Sequence, residues 1–195
     1  MRPLSPTPRA AIFIDKDGTL LEDVPWNVDP HMMRLAPGAF EALRLFASRG
    51  VPLFVVSNQS GVALGKFERD ALDRVEMRLH EIAAQAGAEF EDIYWCPHHP
   101  QGIVPEYTRA CECRKPAPGM LLRAAREHRI DLSQSWFIGD ILDDVEAGTR
   151  AGCRSALIAN GNETEWLRGE GREPDIVVND MHEAAIAIVS AEHPA

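Results

Sequence analysis

The stretch Ala10-Ala11-Ile12-Phe13-Ile14-Asp15-Lys16-Asp17-Gly18-Thr19-Leu20 decides how the chain is read. A short, wholly apolar run is the mark of a strand buried on both faces, as in a parallel sheet. This run ends abruptly in Asp15, and Asp17 follows two residues later. Two carboxylates so spaced at a strand end can meet one cation. They can also flank one reacting centre, one attacking phosphorus while the other trades protons with the leaving oxygen. Asp and Gly are common turn formers too, so the D-x-D-G string alone is only a moderate signal.

Working outward, strand and helix patterns alternate. Strands are predicted at 10–15, 51–58, 90–96, 135–140, 154–159 and 175–178, and helices at 37–50, 67–86, 118–128, 143–152 and 180–190. The spacing of Leu72, Val75, Leu79 and Ile82 gives one helix its apolar face. Alternation of this kind predicts an α/β fold, a Rossmann-like doubly wound parallel sheet. Residues 1–9, with three prolines, read as a loose tail, and 10–190 as a single domain without a large cap domain. Ligands of such sheets sit at the carboxyl ends of the strands. That rule points to the loops after Ile14, Val56, Cys96 and Ile138.

The chain has 195 residues and a formal net charge of −10. Such acidity gives no electrostatic footprint for nucleic acid or anionic lipid. No apolar run approaches the ~20 residues of a membrane span, and no apolar signal segment precedes Ala10. A cytoplasmic monomer is the expectation, with no nucleic-acid or membrane partner.

Three further motifs fall at strand ends or helix starts. Ser57-Asn58-Gln59-Ser60-Gly61 offers a hydroxyl and backbone amides suited to a phosphoryl oxygen. Arg114-Lys115-Pro116 offers an ammonium and a guanidinium suited to phosphate charge. In Gly139-Asp140-Ile141-Leu142-Asp143-Asp144, Asp140 leaves an apolar strand, where a cation is its natural partner. Asp144 lies one helical turn further on, and Asp143 is expected to cap the helix that starts there. Cys96-Pro97-His98-His99 and Cys111-Glu112-Cys113 supply three thiols and an imidazole, a tetrahedral zinc set with no open position, hence structural. The spacing favours His98 over His99 without deciding between them. Cys153, Trp95 and Trp136 read as core. His31, His80, His128, His182 and His193 have no partner pattern and read as surface.

The order D-x-D-G-T, S-N-Q-S-G, K-P, G-D-x-x-x-D resembles the haloacid dehalogenase superfamily of phosphatases, over residues 10–160. The resemblance implies a magnesium-dependent phosphomonoester hydrolase working through an aspartyl-phosphate. Asp15 would be the nucleophile and Asp17 the general acid/base. Ser57 and Lys115 would stabilise the phosphoryl group. Magnesium would be held by Asp15, the Asp17 carbonyl and Asp140, with Asp144 behind them. The zinc loop, 96–113, is similar to that of the heptose bisphosphate phosphatases and, next to them, of the histidinol-phosphate phosphatase domains. It implies a small sugar phosphate substrate, with Asp23, Trp26, Asn58, Gln59, Ser60 and Arg114 around it. Ile141 and residues 22–30 depart from the heptose pattern, which commonly has Lys at the former. A phospho-accepting signalling module, the competing class, carries its acceptor Asp after the third strand; here that strand ends in Cys96.

Overall fold

Residues 7–161 and 166–192 are described by the computed structural model. Six strands form one parallel sheet: β1 (Ile12–Ile14), β2 (Leu53–Asn58), β3 (Phe90–Cys96), β4 (Trp136–Gly139), β5 (Arg154–Ile158) and β6 (Ile176–Val178). Their spatial order is β3-β2-β1-β4-β5-β6. The helices are α1 (Ala39–Ser48), α2 (Ala71–Gln85), α3 (Gly119–His128), α4 (Leu142–Ala151) and α5 (Met181–Glu192). Every β-α alternation in the sequence is realised, with ends shifted by a few residues. Two single 3₁₀ turns, Pro30–Met32 and Leu132–Gln134, were not foreseen. Each is started by an aspartate, Asp29 or Asp131, whose carboxylate accepts from the backbone two residues on.

Side-chain alternation along β1 builds the two faces. Ile12 and Ile14 join Leu43 and Phe46 of α1, Val75 and Leu79 of α2, and Ile188 of α5 in one buried layer. Ala11 and Phe13 join Phe54, Leu121 of α3 and Ala147 of α4 in the other. Pairing reverses direction at β1, which lies between β2 and β4. The crevice above β1 and β4 is therefore the switch point where such sheets place ligands. Asp15 and Asp140 are the residues that follow these two strands.

The structure corrects three expectations. Arg9 is not loose: its backbone pairs with Arg129 and Asp131, and its side chain meets Glu91. Residues 1–6 of the expected tail, and His193, lie outside the described residues. Asp143 does not cap α4; it pairs with Arg172 at 2.9 Å, while Ile141 occupies the cap position. His128 is not a bare surface residue: it packs edge-on against Phe54 and sits 3.1 Å from Asp92. Cys153 is buried, which pushes its thiol up to about 12. Trp136 is buried as expected, whereas Trp95 is half-buried and donates to Glu76.

Candidate active site

The floor of the site is a buried cluster of charges at the switch point. Asp15, Lys115, Asp140 and Asp144 are all buried. Lys115 Nζ lies 2.7 Å from Asp15 Oδ1 and 2.6 Å from Asp144 Oδ1, and donates to the Val56 carbonyl. Burial alone pulls an ammonium down, but the Asp144 and Asp15 carboxylates outweigh it and hold Lys115 above its usual value. Burial pushes Asp15 up to about 7, with Lys115 opposing and Asp144 adding to the rise. Burial raises Asp144 as well. Asp144 can sit here only because residue 139 is glycine: a Cβ there would meet Asp144 Oδ2 at 2.3 Å.

Asp15, Asp140 and Asp144 each bring a carboxylate oxygen within 4.8 Å of the others. Asp15 and Asp144 share the Lys115 ammonium, and Asp140 brings a third buried carboxylate to the same spot. Hard oxygen donors so placed fit a divalent cation such as magnesium. Thr19, fully buried, donates to Asp140 at 3.2 Å, and Trp166 Nε1 donates to the Asp140 carbonyl at 2.9 Å.

Asp17 is turned the other way, toward the opening. Gln59 Nε2 donates to its Oδ2 at 2.9 Å and to Ser57 Oγ at the same distance. The buried Lys16 ammonium pairs with its other oxygen. Asp17 also lines a pocket of about 240 Å³ whose walls are Asp23, Val24, Pro25, Trp26 and Asn27 on one side and Asn58, Gln59, Ser60 and Gly61 on the other. Trp26 is half exposed, in the left-handed region at φ 59°, an uncommon and strained backbone for an aromatic residue. Burial, then the Asp17 charge, raises the Asp23 carboxyl above its usual value.

Asn58 and Arg114, both expected near the substrate, sit in different settings. Asn58 lines the pocket, yet both polar atoms of its amide are engaged by the Lys115 backbone, at 3.0 and 3.1 Å. It positions Lys115. Arg114 does not line this pocket. Its Nη1 is nevertheless buried without a hydrogen-bond partner among the described residues.

The zinc-type residues converge. Cys96 Sγ, His98 Nδ1, Cys111 Sγ and Cys113 Sγ lie within 4.8 Å of one another, with close pairs between 3.0 and 3.8 Å. Hydrogen bonding from Cys96 holds the Cys113 thiol down to about 5, against burial and with help from Cys111. Three sulfurs and one imidazole so gathered fit a tetrahedral zinc. His99 stands apart, its Nδ1 accepting from the Gln101 amide.

Sequence reasoning passed over Lys16, Thr19, Gly139, Asn160 and Trp166. Lys16, Thr19 and Gly139 stand inside or beside quoted motifs, so adjacency was a usable signal. Asn160, which donates to the Gly18 carbonyl, and Trp166 come from a segment with no motif.

Comparison with known proteins gives the following. The HAD-hydrolase-like family profile matches residues 112–184. A Yersinia pestis protein, D-glycero-β-D-manno-heptose-1,7-bisphosphate 7-phosphatase, is 34% identical over 178 residues, 91% of this chain and 94% of its own. A crystal structure of D,D-heptose 1,7-bisphosphate phosphatase from B. bronchiseptica, complexed with magnesium and phosphate, superposes with a TM-score of 0.81 at 30% identity. That match covers 93% of this chain and 99% of the other. A putative HAD-like phosphatase from Mesorhizobium loti gives 0.82 at 30% identity, covering 99% and 91%.

Proposed function

Because the chain belongs to the haloacid dehalogenase-like family of phosphatases, and so is a phosphomonoester hydrolase, we propose that it removes the C7 phosphate of D-glycero-β-D-manno-heptose 1,7-bisphosphate. The observation that carries the chemistry is the buried Asp15 carboxylate held 2.7 Å from Lys115, two residues before the Asp17 that lines the pocket. The substrate is supported by the 34% identity, over nearly the whole chain, to a phosphatase of that name.

In this reading Asp15 attacks phosphorus. The bond from phosphorus to the sugar oxygen breaks, and protonated Asp17 gives its proton to that oxygen. A water then attacks the aspartyl-phosphate and passes its proton to Asp17, releasing phosphate and restoring Asp15. Gln59 and Lys16 fix the Asp17 carboxyl toward the pocket, while Ser57 and Lys115 receive the phosphoryl oxygens. Asn58 clamps Lys115 in place. Asp15, the Asp17 carbonyl and Asp140 would hold magnesium, with Asp144 behind, and the ion would supply charge neutralisation between carboxylate and phosphate. Cys96, His98, Cys111 and Cys113 would hold a structural zinc. Asp23, Trp26 and Ser60 would face the sugar, and Arg114 the phosphate that is retained. Residues 10–190 are taken as one domain, supported by one sheet that carries every motif. No helix among the described residues is long and apolar enough to cross a membrane. The working picture is a cytoplasmic monomer with a small-molecule partner only.

The test is steady-state kinetics with magnesium on heptose 1,7-bisphosphate, heptose 7-phosphate and histidinol phosphate. The bisphosphate is expected to have the highest kcat/KM. Preference for histidinol phosphate would transfer the assignment to that second reading.

A further inference from the structure

We propose that residues 99–108, the arm between the two zinc half-sites, form a strap that sets the position of the 59–66 wall of the pocket, with Gly102 as the positioning residue. The inference rests on the reading of that pocket as the substrate pocket. The arm is knit to itself: Gly102 N donates to His99 O, His99 N to Tyr107 O, Tyr107 N to Val104 O, and Thr108 Oγ1 to Val104 O at 2.7 Å. It then reaches across to the wall. The Ala63 carbonyl accepts from both Ile103 N, at 2.8 Å, and Val104 N, at 3.0 Å.

Contact at this crossing is close. A Cβ on Gly102 would lie 2.8 Å from Ala63 O, 3.0 Å from Ala63 Cβ and 2.6 Å from Thr108 Oγ1. A side chain there must lift the arm, because two of the three atoms belong to the wall and one of those is backbone. Ile103 is 75% exposed, an odd place for a large apolar residue, yet its side chain covers Gly65: a Cβ at 65 would meet Ile103 Cδ1 at 3.1 Å. At its roots the arm meets the same wall, since Gln59 N donates to Cys96 O and Asn58 clamps Lys115. The wall is thus gripped at two points, at Gln59 and at Ala63, and Ser60 and Gly61 of the pocket lie between the grips. The contacts at Ala63 and Gly65 touch none of Asp15, Asp17, Lys115 and Asp140, so the strap acts on affinity and not on the chemical step.

The test uses the full metal-loaded chain with Gly102→Ala, and Ile103→Ala as a milder second variant. KM for the sugar phosphate turned over is expected to rise roughly tenfold, equivalent to about 1.4 kcal/mol. Its kcat should stay within about twofold, and zinc content should be unchanged. Turnover of p-nitrophenyl phosphate, whose leaving group lacks the sugar, should keep its kcat/KM. Independently of any substrate, hydrogen exchange at the Leu64 and Lys66 amides should accelerate severalfold, with the β1 amides unaffected. Ile103→Ala should move the same readouts less, and it decides the matter if Gly102→Ala does not fold. Unchanged exchange and KM, or a fall in kcat on both esters, would overturn the strap. Absence of any sugar phosphate turnover by the unmutated protein would instead overturn the substrate reading, and the exchange measurement would still decide the strap.

Discussion

The floor and the wall of this site are built on opposite principles. The floor, with Asp15 and Asp140 at strand ends, Asp144 in α4 and Lys115 before α3, is buried and densely charged. The wall, with Val24, Trp26 and Ser60, is open and carried on loops. A buried floor suits a charge-moving step, because charges act strongly at low dielectric. An open wall selects by a few contacts, and those can change without touching the chemistry. Substitutions in the floor should therefore abolish turnover, and substitutions in the wall should redistribute it.

The largest expected effect breaks the floor. Asp15→Asn cannot form an acyl-phosphate, so kcat should fall by at least about 10⁴-fold while circular dichroism stays native. Asp17→Asn leaves the nucleophile but not the proton donor. A loss of roughly 10²–10⁴-fold is expected, with magnesium still bound by calorimetry. Cys111→Ser should release zinc, measured by elemental analysis, and lower Tm before it lowers activity, since structural zinc supplies folding free energy.

Magnesium should stabilise the floor in a pH-dependent way. Asp15 is raised from 3.8 to about 7, so the metal-free fold prefers it protonated. That preference favours the fold at low pH and is lost as pH rises from the unfolded value through about 7. The metal-free Tm contribution should thus decline toward about pH 8. The Tm gain on adding magnesium should be larger at about pH 8 than at about pH 6, where protons compete for the carboxylate. The last effect lies outside the pocket lining: Arg114→Ala should cost on the order of 1.5–3 kcal/mol in kcat/KM on the bisphosphate and little on the 7-phosphate.

The same contrast explains what was legible in the sequence. Buried parallel strands announce themselves as apolar runs, and floor residues follow directly from where those runs end. Asp15, Asp140 and the D-x-D spacing could be read for that reason. The cysteine cluster was legible because two short half-sites imply one ion. The wall was harder, since loop contacts depend on pairings distant in sequence. Nothing local in Ala63 or Gly102 says that they meet. Asn58 was placed near the substrate with its 57–60 neighbours; that its amide also holds the Lys115 backbone depends on a pairing 57 residues away that nothing local announces. Asp143 failed as a cap for a similar reason: Arg172, from a segment with no motif, claims its carboxylate.

The central claim is that Asp15 carries the phosphoryl group during turnover. The most direct measurement is a rapid acid quench during turnover of a radiolabelled phosphate ester, the sugar bisphosphate or whichever ester turns over fastest. Proteolysis of the quenched protein and peptide mapping then locate the label. The expected result is label on the peptide containing Asp15 and none in the Asp15→Asn protein. Label on another residue, or Asp15→Asn turning over at a rate comparable to the unmutated chain, would contradict the account.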